Sequence, residues 1–205
     1  MAMRSYPDAI YTLLEQAWEA KLEEEYEEAM ALLQTIILEE PACLEAYEEL
    51  ADVYLHLREL DKAEKAITRA LQLDPRSANA HYLRGFLYSL ESNWEASVTE
   101  LEQADKATPN HPEILRCLGW SLYNAQRRAQ GISVLERSVE MFPENIDAAS
   151  DLGVCYMNSG EFTKAEEVFE RVLELDSDSP HARECLKFVR QMKKLLDGGE
   201  GADAS

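Results

Sequence analysis

The stretch Asp151–Asp176, DLGVCYMNSGEFTKAEEVFERVLELD, decides the fold. Leu152, Gly153 and Tyr156 fall on one helical face, Gly160 interrupts, and Phe162, Ala165, Phe169 and Val172 fall on a second face. Apolar residues three and four apart, with a glycine between two such runs, read as a helix, a tight turn and a second helix. Small residues stand where the two helices must cross closely.

The pattern repeats upstream. Pro41, Pro75, Pro109 and Pro143 stand at a constant interval, and Ser177 takes the next slot. Ala17, Ala51, Gly85, Gly119 and Gly153 occupy one slot of the first helix, and Ala29, Ala63, Ser97, Gly131 and Ala165 one slot of the second. A missing side chain at such a slot lets two backbones approach. Each proline follows a second helix, which it cannot continue, and forces a turn into the next pair.

This interval of 34 residues and these slots resemble the tetratricopeptide repeat, in the manner of bacterial proteins built from that repeat alone. The resemblance implies an all-α superhelix, an α-solenoid of five helix-turn-helix repeats at 10–43, 44–77, 78–111, 112–145 and 146–179. A lead-in would occupy 1–9. One further amphipathic helix, 180–196, reads as the cap that covers the last apolar face, and the Gly- and acid-rich tail 197–205 reads as disordered. The turn Glu23–Glu25 of the first repeat contains no glycine, which leaves that boundary open.

The chain carries 40 Asp and Glu against 20 Lys and Arg, a formal net charge of −20. Such a chain repels nucleic acid and anionic membrane surfaces. The first 60 residues hold 15 acidic against 3 basic residues, so the acidity is concentrated at that end. No run approaches the roughly 18 apolar residues of a membrane span, and the N-terminal stretch lacks the apolar core and cleavage site of a signal peptide. A cytoplasmic protein is expected. Cys43, Cys117, Cys155 and Cys185 form no CxxC pair and read as buried thiols.

Nothing in the sequence gathers a catalytic constellation. There is no HExxH, GxSxG or Gly-rich phosphate loop. His181 and Cys185 stand one helical turn apart, but two ligands are too few for a metal site. The carboxylate run Glu23–Glu28 lacks the alternating ligands and central glycine of a calcium loop. No enzyme activity, cofactor or metal is expected.

The resemblance places the first helices on the concave side of the superhelix. Its groove positions here are Trp18 in repeat one, Glu45, Glu48, Glu49 and Asp52 in repeat two, and Tyr82 and Phe86 in repeat three. Arg116, Trp120 and Tyr123 follow in repeat four, Asp151 and Val154 in repeat five, and Phe188 and Met192 on the cap. This is an aromatic floor with an acidic end, suited to a peptide or helix with basic and large apolar residues. Related domains that hold acidic chaperone tails use lysines, asparagines and an arginine at these slots. Here the slots carry carboxylates, which disfavour such tails. The expected role is a non-catalytic adaptor or scaffold. The alternatives are a secretion-type chaperone shielding an apolar client segment, and a self-assembling scaffold that binds another copy.

Overall fold

The structure is a computed structural model that describes residues 6–199. Among them there are eleven helices and no strand. They fall into two compact units, divided between Pro109 and Asn110.

The first unit holds α1 (Asp8–Leu22), α2 (Tyr26–Glu39), α3 (Leu44–His56), α4 (Leu60–Leu73), α5 (Ala78–Leu90) and α6 (Trp94–Ala107). The second holds α7 (Pro112–Asn124), α8 (Arg128–Met141), α9 (Ile146–Asn158), α10 (Phe162–Leu175) and α11 (Pro180–Gly199). Helices pair as α1 with α2, α3 with α4, α5 with α6, α7 with α8 and α9 with α10, and α11 packs on α10. Five helix-turn-helix pairs and a terminal helix are therefore present.

The slots chosen for small residues are where the pairs cross. Ala17, Ala51, Gly85, Gly119 and Gly153 are buried, as are their counterparts Ala29, Ala63, Ser97, Gly131 and Ala165. In the third pair the Ser97 hydroxyl donates to the Gly85 carbonyl at 2.7 Å, so a polar side chain at the crossing is satisfied by the facing backbone.

The turns explain how a pair closes without glycine. Glu24, Arg58, Ser92, Gln126 and Gly160 all have φ near +60° to +77° and recur at the repeat interval. In each case the next residue's N–H reaches back to the helix before it, as from Glu25 to the Ala20 carbonyl (2.8 Å) and from Glu161 to the Tyr156 carbonyl (2.9 Å). This is a left-handed C-terminal cap with a six-to-one hydrogen bond. Only the fifth turn uses glycine, so the first four hold a side chain in the left-handed region.

The prolines lie just beyond the second helices. The residues before them, Glu40, Asp74, Thr108 and Phe142, take φ between −128° and −140°. Asp176, with Ser177 after it, adopts the same geometry, so the turn does not depend on proline.

α1 opens at Asp8, where Pro7 followed by Asp8 reads as a helix start, two residues before the expected first repeat at 10. Tyr6 is tied down as well: its hydroxyl donates to Glu45 Oε2 at 2.7 Å and accepts from the Leu44 N–H at 3.3 Å, at the start of α3. Burial and the Glu45 bond push the Tyr6 phenol up to about 12. α11 continues to Gly199, taking in the first residues of the expected tail, and residues 200–205 lie outside those described.

Each unit has an order of contacts that defines an inner side. In the first unit α1 touches α3 and α3 touches α5; in the second α7 touches α9 and α9 touches α11. No second helix touches another second helix among the described residues. Within each unit the first helices therefore line the inside of the curve.

Candidate functional site

The inner side of the first unit is mixed. Trp18 on α1 is 52% exposed. Phe86, at the same slot on α5, stacks on Tyr82 with ring centroids 6.3 Å apart and planes 12° from parallel, and both rings pack on the core beneath. Asp52 occupies that slot on the helix between them. An apolar stripe cannot run through a carboxylate, so the two aromatic ends of this unit are separate.

The acidic end predicted for this unit is largely satisfied by the protein itself. Lys21 on α1 reaches across to α3, where it binds Asp52 at 2.8 Å and also Glu49. Burial pulls the Lys21 ammonium down, but the bonds from Asp52 and Glu49 outweigh it and hold the group above its ordinary value. Glu45 is engaged by the Tyr6 hydroxyl.

Glu48 is not on an open face at all. It is 7% exposed, accepts from the Ser77 hydroxyl, and accepts from Asn79 Nδ2 at 3.1 Å. Ser77 is also the N-cap of α5, accepting from the Ala80 N–H at 3.1 Å. Glu48 therefore braces the start of the next pair. Burial raises its carboxyl above the usual range, and the Ser77 and Asn79 bonds oppose that only in part. Sequence reasoning read the four acids as one patch because it could not see which cations and hydroxyls the fold would bring to them.

The second unit has a more continuous inner stripe. Trp120 on α7, Val154 on α9 and Phe188 on α11 occupy one slot at successive repeat intervals, on helices that touch in that order. Trp120 and Val154 are half-buried and pack with Met157 against the unit's core. Phe188 is 48% exposed. Tyr123 is buried, with its hydroxyl 3.1 Å from Ser159 Oγ and the Arg128 guanidinium over its ring, so it supports the floor instead of presenting a free ring.

Beside the stripe lies a fixed ion network. Arg116 bonds Glu113 through Nε at 3.0 Å and Asp151 through Nη1 at 3.2 Å. Burial raises the Asp151 carboxyl, against the pull of Arg116. Asn145, the N-cap of α9, donates to Glu113 at 3.4 Å. Arg116 thus joins α7 to α9, and Asp147 is the exposed carboxylate next to it.

The four cysteines are buried. Cys185 Sγ lies 3.7 Å from His181 Nε2. Among the described residues no helix is long and apolar enough to cross a membrane.

Paired antiparallel helices at a fixed period, closed by one turn type and lined inside each unit by first helices, define a helical-repeat protein. The tetratricopeptide repeat model matches residues 20–84 and 122–185, and a second model of that description matches 58–112. The chain belongs to the tetratricopeptide repeat family.

It is 30% identical over 134 residues to anaphase-promoting complex subunit 3 of Schizosaccharomyces pombe, covering 65% of this chain and 20% of that protein. It is 26% identical over 138 residues to the type IV pilus assembly protein PilF of Pseudomonas aeruginosa, covering 66% of this chain and 55% of the relative. The solved structure of Pseudomonas aeruginosa pilF superposes with a TM-score of 0.76 at 17% identity, covering 93% of each chain, which shows the shared fold. The chain spans between a fifth and about half of the length of these curated relatives.

Proposed function

We propose that the chain is a non-catalytic adaptor, and that the inner face of its second unit binds an extended or helical segment of a partner protein. The observation that supports this is the stripe Trp120, Val154 and Phe188, set in register on three touching helices with its last ring half exposed. Large apolar side chains presented on a concave face are the usual anchors of peptide recognition.

The arrangement favours a ligand with two or three large apolar residues spaced along its length. Its basic residues would meet Asp147, while Glu113 and Asp151 are already engaged by Arg116. The demand for basic residues is thus smaller than the raw count of acids implies. The net charge of −20 still speeds the approach of a basic partner, an effect screened beyond about 8 Å at physiological salt. Buried thiols suit a reducing compartment, which agrees with action in the cytoplasm.

The test is affinity capture from a native lysate with the full chain, in parallel with Trp120→Ala and Phe188→Ala. Partners are then re-measured by calorimetry as purified proteins. A partner anchored here loses about 2 kcal/mol of binding with Trp120→Ala, roughly thirtyfold in Kd. Partners retained equally by both variants would place recognition on another surface.

A further inference from the structure

α11 stands where a sixth first helix would stand, but it is not built to receive a second helix. In the five pairs, the crossing slot is Ala17, Ala51, Gly85, Gly119 or Gly153, and a Cβ added at Gly85 or Gly119 would come within 2.6 Å of a leucine on the facing helix. The equivalent position of α11 is Lys187, at the same interval after Gly153. A lysine there blocks the close crossing and ends the series.

It also leaves a groove. Between α10 and α11 is an open depression of about 570 Å³ with Leu173 and Leu186 among its lining and Lys187, Arg190 and Lys194 at its side. Arg190 is spent holding α11 to α10, through Glu166 at 2.8 Å and Glu170 at 2.6 Å. Lys187 and Lys194 make no ion pair among the described residues. In a chain of net charge −20, residues 180–196 carry five Lys and Arg against one Glu.

The opposite chemistry occurs at the start of the first unit. Between α1 and α2 lies a depression of about 580 Å³ lined by Leu22 and Leu32 and by Glu19, Glu23, Glu25 and Glu28. None of these four carboxylates has an ion-pair partner among the described residues. Their crowding is felt: a hydrogen bond with Glu28, and after it the charges of Glu28 and Glu23, raise the Glu25 carboxyl above its ordinary range. A cationic partner would relieve that repulsion.

We propose that the α10–α11 surface of one molecule docks the α1–α2 surface of a second copy, joining chains head to tail through Lys187 and Lys194 and the leucines beside them. The rims of the two depressions are of opposite sign, and both carry leucine, Leu22 standing 62% exposed on the acidic side. The contact is heterologous, with different surfaces on the two sides, so it propagates into open chains unless a rotation closes it. It uses surfaces separate from the Trp120 stripe, so binding there and assembly here fail independently.

The test is sedimentation velocity on the full chain over a range of concentrations, at low and high salt. Wild type is expected to self-associate with rising concentration and to dissociate with salt. Lys187→Gln/Lys194→Gln and Glu19→Gln/Glu23→Gln are each expected to weaken association about tenfold or more. Both substitutions are at exposed positions, and circular dichroism confirms that the variants fold. The deciding arm mixes the two variants. Each keeps the surface the other lacks, so the mixture forms one joint and stops at a one-to-one dimer. A wild type that stays monomeric at low salt would overturn the proposal, as would association insensitive to either pair, or a mixture that fails to form the dimer.

Discussion

Gly131 of α8 crosses Gly119 of α7 so closely that a Cβ on Gly131 would lie 2.6 Å from the Gly119 carbonyl oxygen and 2.6 Å from the Tyr123 nitrogen. Both obstacles are backbone, which cannot rotate away. Gly131→Ala gains about 1 kcal/mol in helix propensity but overpacks the crossing, which costs about 1–3 kcal/mol. Because the clash falls on rigid atoms, the loss wins. A net destabilisation in urea unfolding is expected, and a variant as stable as wild type would show that the pair crosses less closely.

Arg58 and Gly160 occupy the same turn position in two pairs, with φ of 59° and 77°. A side chain in that conformation costs about 1 kcal/mol, which glycine avoids. Arg58 is exposed, and a Cβ on Gly160 would meet nothing within 4 Å, so backbone strain alone separates the two. Arg58→Gly is expected to stabilise by about 0.5–1 kcal/mol and Gly160→Ala to destabilise by a similar amount. Thermal melts of the two variants should shift in opposite directions.

Glu48 predicts a pH dependence with a definite sign. Burial raises its carboxyl in the folded chain above the unfolded value, so ionising it costs stability. Its contribution is best below the unfolded carboxylate range and is lost as pH rises through the raised folded value. Glu48→Gln removes that charge and keeps a side chain able to bond Ser77 or Asn79. The variant's stability relative to wild type should therefore fall as pH is lowered from 7 toward 4. A difference that is flat or grows on acidification would contradict the assignment of burial as the cause.

Removal of α11 tests its role as a cover. Ala182, Cys185, Leu186 and Val189 are buried in the same core as Phe169 and Val172. Truncation before Pro180 strips them away and bares an apolar face of the kind that drives association. The shortened chain is expected to melt earlier and to bind a hydrophobic dye.

The fold was legible because its determinants repeat. Five small residues at one slot, five at another and four prolines at a constant interval leave one economical reading, and local periodicity carries it. The turns at Glu24, Arg58, Ser92 and Gln126 were hidden, since only Gly160 advertises a left-handed residue by its identity. The candidate site was legible only in part. Position along the repeat placed Trp120, Val154 and Phe188 on one slot. It could not show that Lys21 holds Asp52 and Glu49, or that Glu48 turns inward to Ser77. Those facts depend on contacts between side chains about 30 residues apart, and no local pattern records them.

The pairs share a period but are not interchangeable parts. Lys21 keys α1 to Asp52 of α3, Glu48 keys α3 to Ser77 before α5, and Arg116 keys α7 to Asp151 of α9. Each key is a directional polar contact whose two halves lie in neighbouring pairs, and no two keys use the same residues. Reordering or duplicating pairs within a unit would keep the apolar stacking but strand a buried carboxylate or a half-buried cation at the new joint. The order of the pairs is thus written into the molecule by its charges, although their shape is written by its alanines and glycines.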